Sequence, residues 1–330
     1  MPPLPPNILR AVEILRSGGL VAFPTETVYG LGADATNAIA VERIFAAKGR
    51  PPTNPLIVHV ADADVARQCA SAWPESAQRL AERFWPGPLT LVLPKHASIV
   101  ARATAGLDTV GLRCPDHPLA LAMLREFAGP VAAPSANRST RISPTTAAHV
   151  RDELGDCVDF VLDGGPCRVG IESTVLDLTG SRPRILRPGA VTADDLAREI
   201  GPIEQALLSA SPLEPAMSPG QQLVHYAPRA RAFRFDTQQY DAIQQKLRET
   251  PAKPSALVVI GEPHIIGRLP STRTVQMPSD AAEYAQRLYA TLRELDLAGV
   301  ETIWIEMPPP LPQWHAVRDR LLRATTPFEP

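Results

Sequence analysis

Residues 19–32 read Gly19-Leu20-Val21-Ala22-Phe23-Pro24-Thr25-Glu26-Thr27-Val28-Tyr29-Gly30-Leu31-Gly32. The apolar run up to Phe23 has the length and composition of a buried strand. It stops at a proline and passes into small polar residues and glycine. In α/β sheets this strand-to-loop junction is where ligand loops are built. Upstream, Ile8, Val12 and Leu15 recur at helical spacing before Gly18-Gly19, which predicts an opening helix over 8–18. Downstream the pattern predicts helices over 40–48, 63–70, 76–84, 119–126 and 145–154. It predicts strands over 56–60, 89–93, 110–112, 131–133, 160–163, 173–178 and 184–186. Short strands interleaved with helices indicate an α/β domain with a mixed, twisted sheet.

Two later segments carry charge and hydrogen-bonding groups. Lys48-Gly49-Arg50-Pro51-Pro52-Thr53-Asn54-Pro55-Leu56 places two cations on a stretch too rich in Gly and Pro for a helix. Such a loop can turn both side chains and its free N–H groups toward one anion. Ser135-Ala136-Asn137 places a hydroxyl and a carboxamide two residues apart, on one side of an extended strand end. Together they read as halves of a polyanion site, fitting a nucleoside triphosphate. A Lys-Gly-Arg segment alone is more often a solvated loop. Gly30-Leu31-Gly32 lacks the third glycine of a dinucleotide fingerprint, and the chain has no Walker A sequence.

Composition narrows the classes. The chain has 330 residues, 45% of them apolar, enough for two domains with ordinary cores. A net charge of −2 and a pI near 6.4 argue against a protein built mainly to hold nucleic-acid backbone. Cys69, Cys114, Cys157 and Cys167 have no Cys-x-x-Cys pairing, so reduced and mostly buried thiols are expected, with no metal site. No secretory signal and no run of ~20 apolar residues is evident, which predicts a cytoplasmic chain without a membrane span. The 36 prolines are in marked excess and cluster at 202–228 and 308–313, where they mark connections. The expected organisation is a catalytic domain over 1–200, a proline-rich linker or lid over 201–228 and a smaller α/β domain over 229–330. A short helix at 203–208 is the linker's one expected element. The last domain is predicted to hold strands over 256–260 and 302–306 and helices over 280–297 and 315–325, giving a Rossmann-like parallel unit.

Seven ordered segments resemble the threonylcarbamoyl-AMP synthase family: 24–31, 48–56, Trp85-Pro86-Gly87-Pro88-Leu89-Thr90, Val110-Gly111-Leu112-Arg113, 134–137, Ser143-Pro144-Thr145 and Glu172-Ser173-Thr174-Val175. They are collinear over residues 8 to about 200. Ser218-Pro219-Gly220 with His225-Tyr226-Ala227-Pro228 resembles the start of the C-terminal domain of the family's two-domain form. Residues 221–224 read Gln-Gln-Leu-Val where the family carries basic residues before His-Tyr, and Leu311-Pro312-Gln313-Trp314-His315 replaces a Gly-rich stretch.

The resemblance implies a YrdC-like N-terminal domain and a nucleotidyltransferase. It would make threonylcarbamoyl-AMP and pyrophosphate from L-threonine, bicarbonate and ATP with Mg²⁺, for transfer to tRNA adenosine by downstream machinery, with weak tRNA contact conceivable. It places Lys48, Arg50, Asn54, Thr109, Ser135, Asn137, Ser143 and Arg187 on ATP, Lys48 and Arg50 being catalytic. Thr27, His59, Arg113, Ser173 and the backbone of Ala133 fall on threonine, and Tyr226 on the nucleotide. Bland readings stand beside these. His59 in an apolar run reads more readily as a core histidine, Arg187 equally as a surface residue, and Ser143-Pro144-Thr145-Thr146 as a helix N-cap. The Trp85–Pro88 turn reads as architecture. Related carbamoyl-transfer enzymes and an RNA-binding module are the alternative functions. The first need extra zinc-finger or acylphosphatase domains for which the chain has no room.

Overall fold

Strand β1 (Val21–Phe23) is the predicted apolar run and is buried at every residue. Helix α1 (Pro6–Arg16) packs Ile8, Ala11, Val12 and Leu15 into the same cluster as Val21 and Phe23. Beyond the Thr25–Val28 turn the chain returns antiparallel as β2 (Gly30–Asp34), with Phe23 opposite Gly30 and Val21 opposite Gly32. Two glycines in three residues read as loop in the sequence. Here they are what permits the strand. A Cβ at Gly32 would lie 2.9 Å from the Phe23 ring and 2.8 Å from Val131 Cγ1, so only glycine lets the backbones approach this closely.

The structure, a computed structural model, describes residues 4–205, 226–249, 253–262, 269 and 271–329. Two compact units divide the chain, Met1–Ser139 with Ser143–Leu223 and Thr140–Ile142 with Val224–Pro330. In the first, helix α2 (Ala38–Lys48) begins where the Asn37 side chain accepts from Ile39 N and Ala40 N. It ends at Gly49, whose φ of 59° is the left-handed conformation that stops a helix. Strand β3 (Ile57–His59), helices α3 (Ala63–Cys69) and α4 (Glu75–Phe84), and strands β4 (Leu89–Pro94) and β5 (Thr109–Arg113) follow. Then come α5 (Pro118–Phe127), β6 (Val131–Ala132), α6 (Ala147–Leu154), β7 (Phe160–Val161), β8 (Thr174–Asp177), β9 (Arg184–Arg187), α7 (Ala193–Ile200) and β10 (Glu204–Gln205).

Among the described residues these strands form one mixed sheet, in the order β10-β9-β8-β4-β5-β3-β6-β2-β1-β7. The short helix expected at 203–208 is corrected. Glu204 and Gln205 instead pair in parallel with Arg184 and Ile185 at the sheet edge, and 206–208 lie outside the described residues. Most of the expected lid, including His225, also lies outside them.

Alternation along the central strands positions the site. Val58, Leu91, Val110, Leu112 and Leu176 enter the main core on one face. The opposite face carries the small apolar group Ile57, Val92, Val175 and Leu186. Residues in step with these, among them Thr90, Thr109, Gly111, Arg113 and His59, share that second face by the two-residue period.

The second unit contains β11 (Arg231–Phe235), α8 (Tyr240–Glu249), β12 (Ser255–Ile260), β13 (Thr272–Met277), α9 (Ala281–Leu297), β14 (Thr302–Glu306), α10 (His315–Ala324) and β15 (Thr326–Pro327). Its sheet order is β13-β12-β14-β11-β15, and each neighbouring pair is parallel. This is the expected parallel α/β unit, with β14 inserted between β11 and β12. Strands β11 and β13 escaped the sequence because arginines and other polar residues break them up, leaving neither an apolar run nor a regular alternation. The unit also takes in Thr140–Ile142 from far upstream. Ala227 N donates to Thr140 O at 3.0 Å, and Arg293 donates to Ile142 O. Among the described residues no helix is long and apolar enough to cross a membrane.

Candidate active site

Helix α2 delivers Lys48 into the interior of the first unit, where it is only 2% exposed. Its Nζ donates to Ser135 O at 2.5 Å and to Asn137 O, while Ser139 N donates to Lys48 O at 2.8 Å. The Lys-Gly-Arg and Ser-Ala-Asn segments, 87 residues apart at the Lys48–Ser135 contact, are therefore one structure. Burial, reinforced by the nearby Arg50 charge, pushes the Lys48 pKa well below its ordinary value. The two carbonyls hold this cation without neutralising it. Arg50 is also buried and donates from Nε to Asn54 O at 3.1 Å and from Nη2 to Pro55 O at 2.8 Å. Both amide atoms of the buried Asn54 side chain lack a hydrogen-bond partner.

Strands β3 and β5 run in parallel away from this end, with Ile57 beside Gly111 and His59 beside Arg113. Thr109 starts β5 near Pro55, and Arg113 ends it about 13 Å further on, at ~3.3 Å per residue. Between them Gly111 keeps the face low. A Cβ there would press on Thr90 Cγ2 at 3.2 Å and stand 3.7 Å from Ile57 Cγ1.

At the far end Arg113 is 4% exposed. Its Nη2 donates to Thr27 Oγ1 at 2.9 Å and its Nε to Gly87 O at 3.3 Å. The carboxylate of Glu26 lies beside it, Oε1 at 2.7 Å from Nη2. That oxygen is paired in charge with the guanidinium yet has no hydrogen-bond partner. Glu26 Oε2 accepts from Asp116 N at 3.1 Å. Thr27 Oγ1 is also 2.8 Å from Thr25 Oγ1. His59 stands edge-on to Phe23 with centroids 5.6 Å apart, and its buried Nδ1 has no partner. Burial, with the Arg113 charge adding to it, holds its pKa down at about 3, so the imidazole is neutral near pH 7. Ala133 N is committed to Ile57 O at 2.8 Å, which leaves a backbone contact to its carbonyl.

The remaining expected residues border the same face. The segment Ser143–Thr146 does cap α6, through its last residue and not through Ser143. The cap is Thr146, which accepts from His149 N, whereas Ser143 Oγ donates to Glu172 Oε1 at 2.5 Å. Arg187 is buried, not a surface residue, and Ser173 is held from two sides. Arg187 Nη2 donates to Ser173 Oγ at 3.1 Å, and Thr90 Oγ1 is 2.8 Å from the same hydroxyl. A Cβ at Gly189 would lie 2.3 Å from Thr174 N, so β9 can close on Ser173 only because Gly189 follows it. Tyr226 belongs to the second unit. It is buried there at φ 62°, its ring stacked on Tyr289 at 5.7 Å with the Arg320 guanidinium 5.2 Å from its centre. Its assignment to the nucleotide rests on the resemblance.

Sequence reasoning missed Glu26, Glu172 and the carbonyl of Gly87 as site groups. A charged residue between two threonines, directly after a buried strand, was a usable signal for Glu26. The Trp85–Pro88 turn, read as architecture, also supplies the carbonyl that fixes Arg113. Among the described residues no cluster of three or more His, Cys, Asp or Glu side chains is placed to hold a metal ion. The arrangement suits a polyanion at the Lys48 end and an amino acid at the Arg113 end.

The family model described as Telomere recombination, for Sua5, YciO and YrdC, matches residues 13–189. The model described as Threonylcarbamoyl-AMP synthase, C-terminal domain, matches 191–326. The threonylcarbamoyl-AMP synthase of Pyrococcus abyssi is 41% identical over 320 residues, 96% of this chain and 93% of that protein. That of Bacillus subtilis is 50% identical over 226 residues, 68% of this chain and 65% of that one. The crystal structure of P. abyssi Sua5 complexed with L-threonine has a TM-score of 0.87 at 38% identity, covering 98% of this chain and 96% of its own. With both domain models matched in order and full-length relatives aligned throughout, the chain belongs to the threonylcarbamoyl-AMP synthase family, in its two-domain form.

Proposed function

We propose that the polar face of the first sheet is where L-threonine, bicarbonate and MgATP are joined into threonylcarbamoyl-AMP and pyrophosphate. The carrying observation is the pair of buried cationic ends spaced along β3 and β5. The Lys48 end is tied to the Ser135–Asn137 loop, and the Arg113 end to Thr27. Lys48 and Arg50 would face the phosphates, with Asn54, Thr109, Ser135, Asn137, Ser143 and Arg187 around the nucleotide. Thr27, His59, Arg113, Ser173 and the Ala133 carbonyl would face threonine. In the reaction an oxygen of N-carboxylated threonine forms a bond to the α-phosphorus, and the bond to pyrophosphate breaks. Such a transfer needs alignment and charge neutralisation more than covalent help. Lys48, whose hydrogen-bond partners are neutral carbonyls, would bring positive charge toward the departing pyrophosphate. Mg²⁺ enters as part of the nucleotide substrate, where it adds further neutralisation. Among the described residues no group of three or more His, Cys, Asp or Glu side chains is placed to hold a metal ion, which fits a metal that would arrive with the nucleotide.

Neutral His59 and the small hydroxyls fit a substrate hydroxyl that both donates and accepts. A buried polar group left without its partner penalises an amino acid lacking that hydroxyl. The product, a mixed anhydride labile in water, would pass to the machinery that modifies tRNA adenosine.

The test is mass spectrometry of products formed from ATP, Mg²⁺, bicarbonate and isotope-labelled threonine. A labelled threonylcarbamoyl-adenylate, equimolar with pyrophosphate and dependent on all three substrates, is expected. Pyrophosphate released at full rate without threonine would make the chain an ATP pyrophosphohydrolase and overturn the reading.

A further inference from the structure

The Arg113 guanidinium is accompanied by a carboxylate, and that carboxylate is left incomplete. Glu26 is 1% exposed. One of its oxygens, Oε2, accepts from Asp116 N at 3.1 Å. The other, Oε1, sits 2.7 Å from Arg113 Nη2 but receives no hydrogen bond. A buried carboxylate oxygen without a donor is costly, because it has given up water and gained only the neighbouring charge. Structural ion pairs normally fill such lone pairs as well. Arg113 is also incompletely used. Its Nε and Nη2 donate to Gly87 O and Thr27 Oγ1, while among the described residues Nη1 has no hydrogen-bond acceptor. Each member of the pair thus keeps hydrogen-bonding capacity on a neighbouring atom. One side is a free donor, the other a free acceptor.

That is the complement of an amino acid's head group, a carboxylate beside an ammonium. We infer that Glu26 contacts the substrate, its Oε1 receiving an N–H of the amino acid whose carboxylate is met by Arg113. The inference rests on the reading that this end binds threonine. It assigns to Glu26 the charged acceptor for nitrogen, which Arg113, Thr27, Ser173 and the neutral His59 do not supply. Arg113 is a cation, Ser173 is already engaged by Arg187 and Thr90, and Thr27 Oγ1 is held by Arg113 and Thr25. A compensated arginine also differs functionally from a lone one. Its net charge is near zero, so it favours a zwitterion over a simple anion.

The experiment compares two ligands that differ only in the nitrogen, L-threonine and its deamino analogue 3-hydroxybutyrate. Their binding to the full chain and to Glu26→Gln is measured calorimetrically. Gln keeps the shape and one accepting oxygen but loses the charge. A hydrogen bond to a charged group is worth roughly ten- to hundredfold in affinity. The expected result is a loss of that size for threonine in Glu26→Gln, with 3-hydroxybutyrate changed less than twofold or bound more tightly. An equal loss for both ligands would reduce Glu26 to a residue that positions Arg113, and overturn the inference. Unchanged threonine binding with only a lowered Tm would make Glu26 structural, and also overturn it. If Glu26→Gln does not fold, Glu26→Asp withdraws the same charge by one methylene and gives the same ratio. Failure of the unmodified chain to bind threonine at all would instead remove the functional reading beneath, a result distinct from any of these.

Discussion

The two ends of the sheet face hold their cations in opposite ways. Lys48 leans on the carbonyls of Ser135 and Asn137, which orient an ammonium but leave its charge intact. Arg113 lies beside Glu26 at 2.7 Å, so its charge is cancelled where it stands. Burying a lone cation is unfavourable, and the lowered Lys48 pKa is the sign of that cost. A fold retains such a group where an anion of high charge supplies the missing partner. Burying a matched pair is cheaper, and it presents a neutral, two-pronged surface. The contrast fits the proposed division, with a triphosphate at one end and an amino acid at the other.

The contrast is broken most forcefully at the lone cation. Lys48→Ala and Arg50→Ala are each expected to lower turnover by about two orders of magnitude or more, since each removes a charge that the proposed site turns toward the phosphates. Pyrophosphate release measures this, with the melting temperature as control. Near-normal turnover in both variants, at unchanged Tm, would demote the loop to a structural strap.

A second measurement sharpens the other end through pH. His59 keeps a pKa of about 3 in the fold, against 6.5 ordinarily. Below pH 6.5 the unfolded chain takes up a proton that the folded chain refuses. This contribution to stability is therefore complete above about pH 6.5 and is lost as the pH falls toward 3. The slope is up to ~1.4 kcal/mol per pH unit. Urea midpoints at pH 4 to 6 should fall less steeply in His59→Gln. An unaltered slope would mean that His59 titrates in the fold. The smallest effect separates site from scaffold on adjacent turns. Thr146→Ala removes the α6 cap and should cost about 1 kcal/mol of stability with turnover retained. Ser143→Ala, three residues earlier, takes a donor from buried Glu172 and should lower turnover as well as stability.

Much of this was legible in the sequence for physical reasons. Leu20–Phe23, Leu89–Leu93 and the helix ending at Lys48 are strong local patterns, and the structure keeps them as β1, β4 and α2. Strand β2 was not legible, because its glycines are explained by the Phe23 ring lying across them, a contact that no local pattern encodes. Strand β13 is exposed along much of its length and so never shows an apolar run. At the site, cations and hydroxyls announced themselves by their motifs. Their partners did not. Glu26, Glu172 and the Gly87 carbonyl act through neighbours brought close only by the sheet. The excursion of Thr140–Ile142 into the second unit has no sequence signature either, since its contacts are made by backbone carbonyls.

The division between the ends is tested most directly by a two-by-two titration. A non-hydrolysable ATP analogue and L-threonine are each titrated into Lys48→Ala and Arg113→Lys by calorimetry. Lysine at 113 keeps the charge but loses the planar donors that reach Thr27, Gly87 and the substrate together. The expected matrix is diagonal. Lys48→Ala loses at least tenfold in nucleotide affinity and less than twofold for threonine, and Arg113→Lys shows the reverse. Comparable losses for both ligands in both variants would contradict the division and make the face a single undifferentiated anion site.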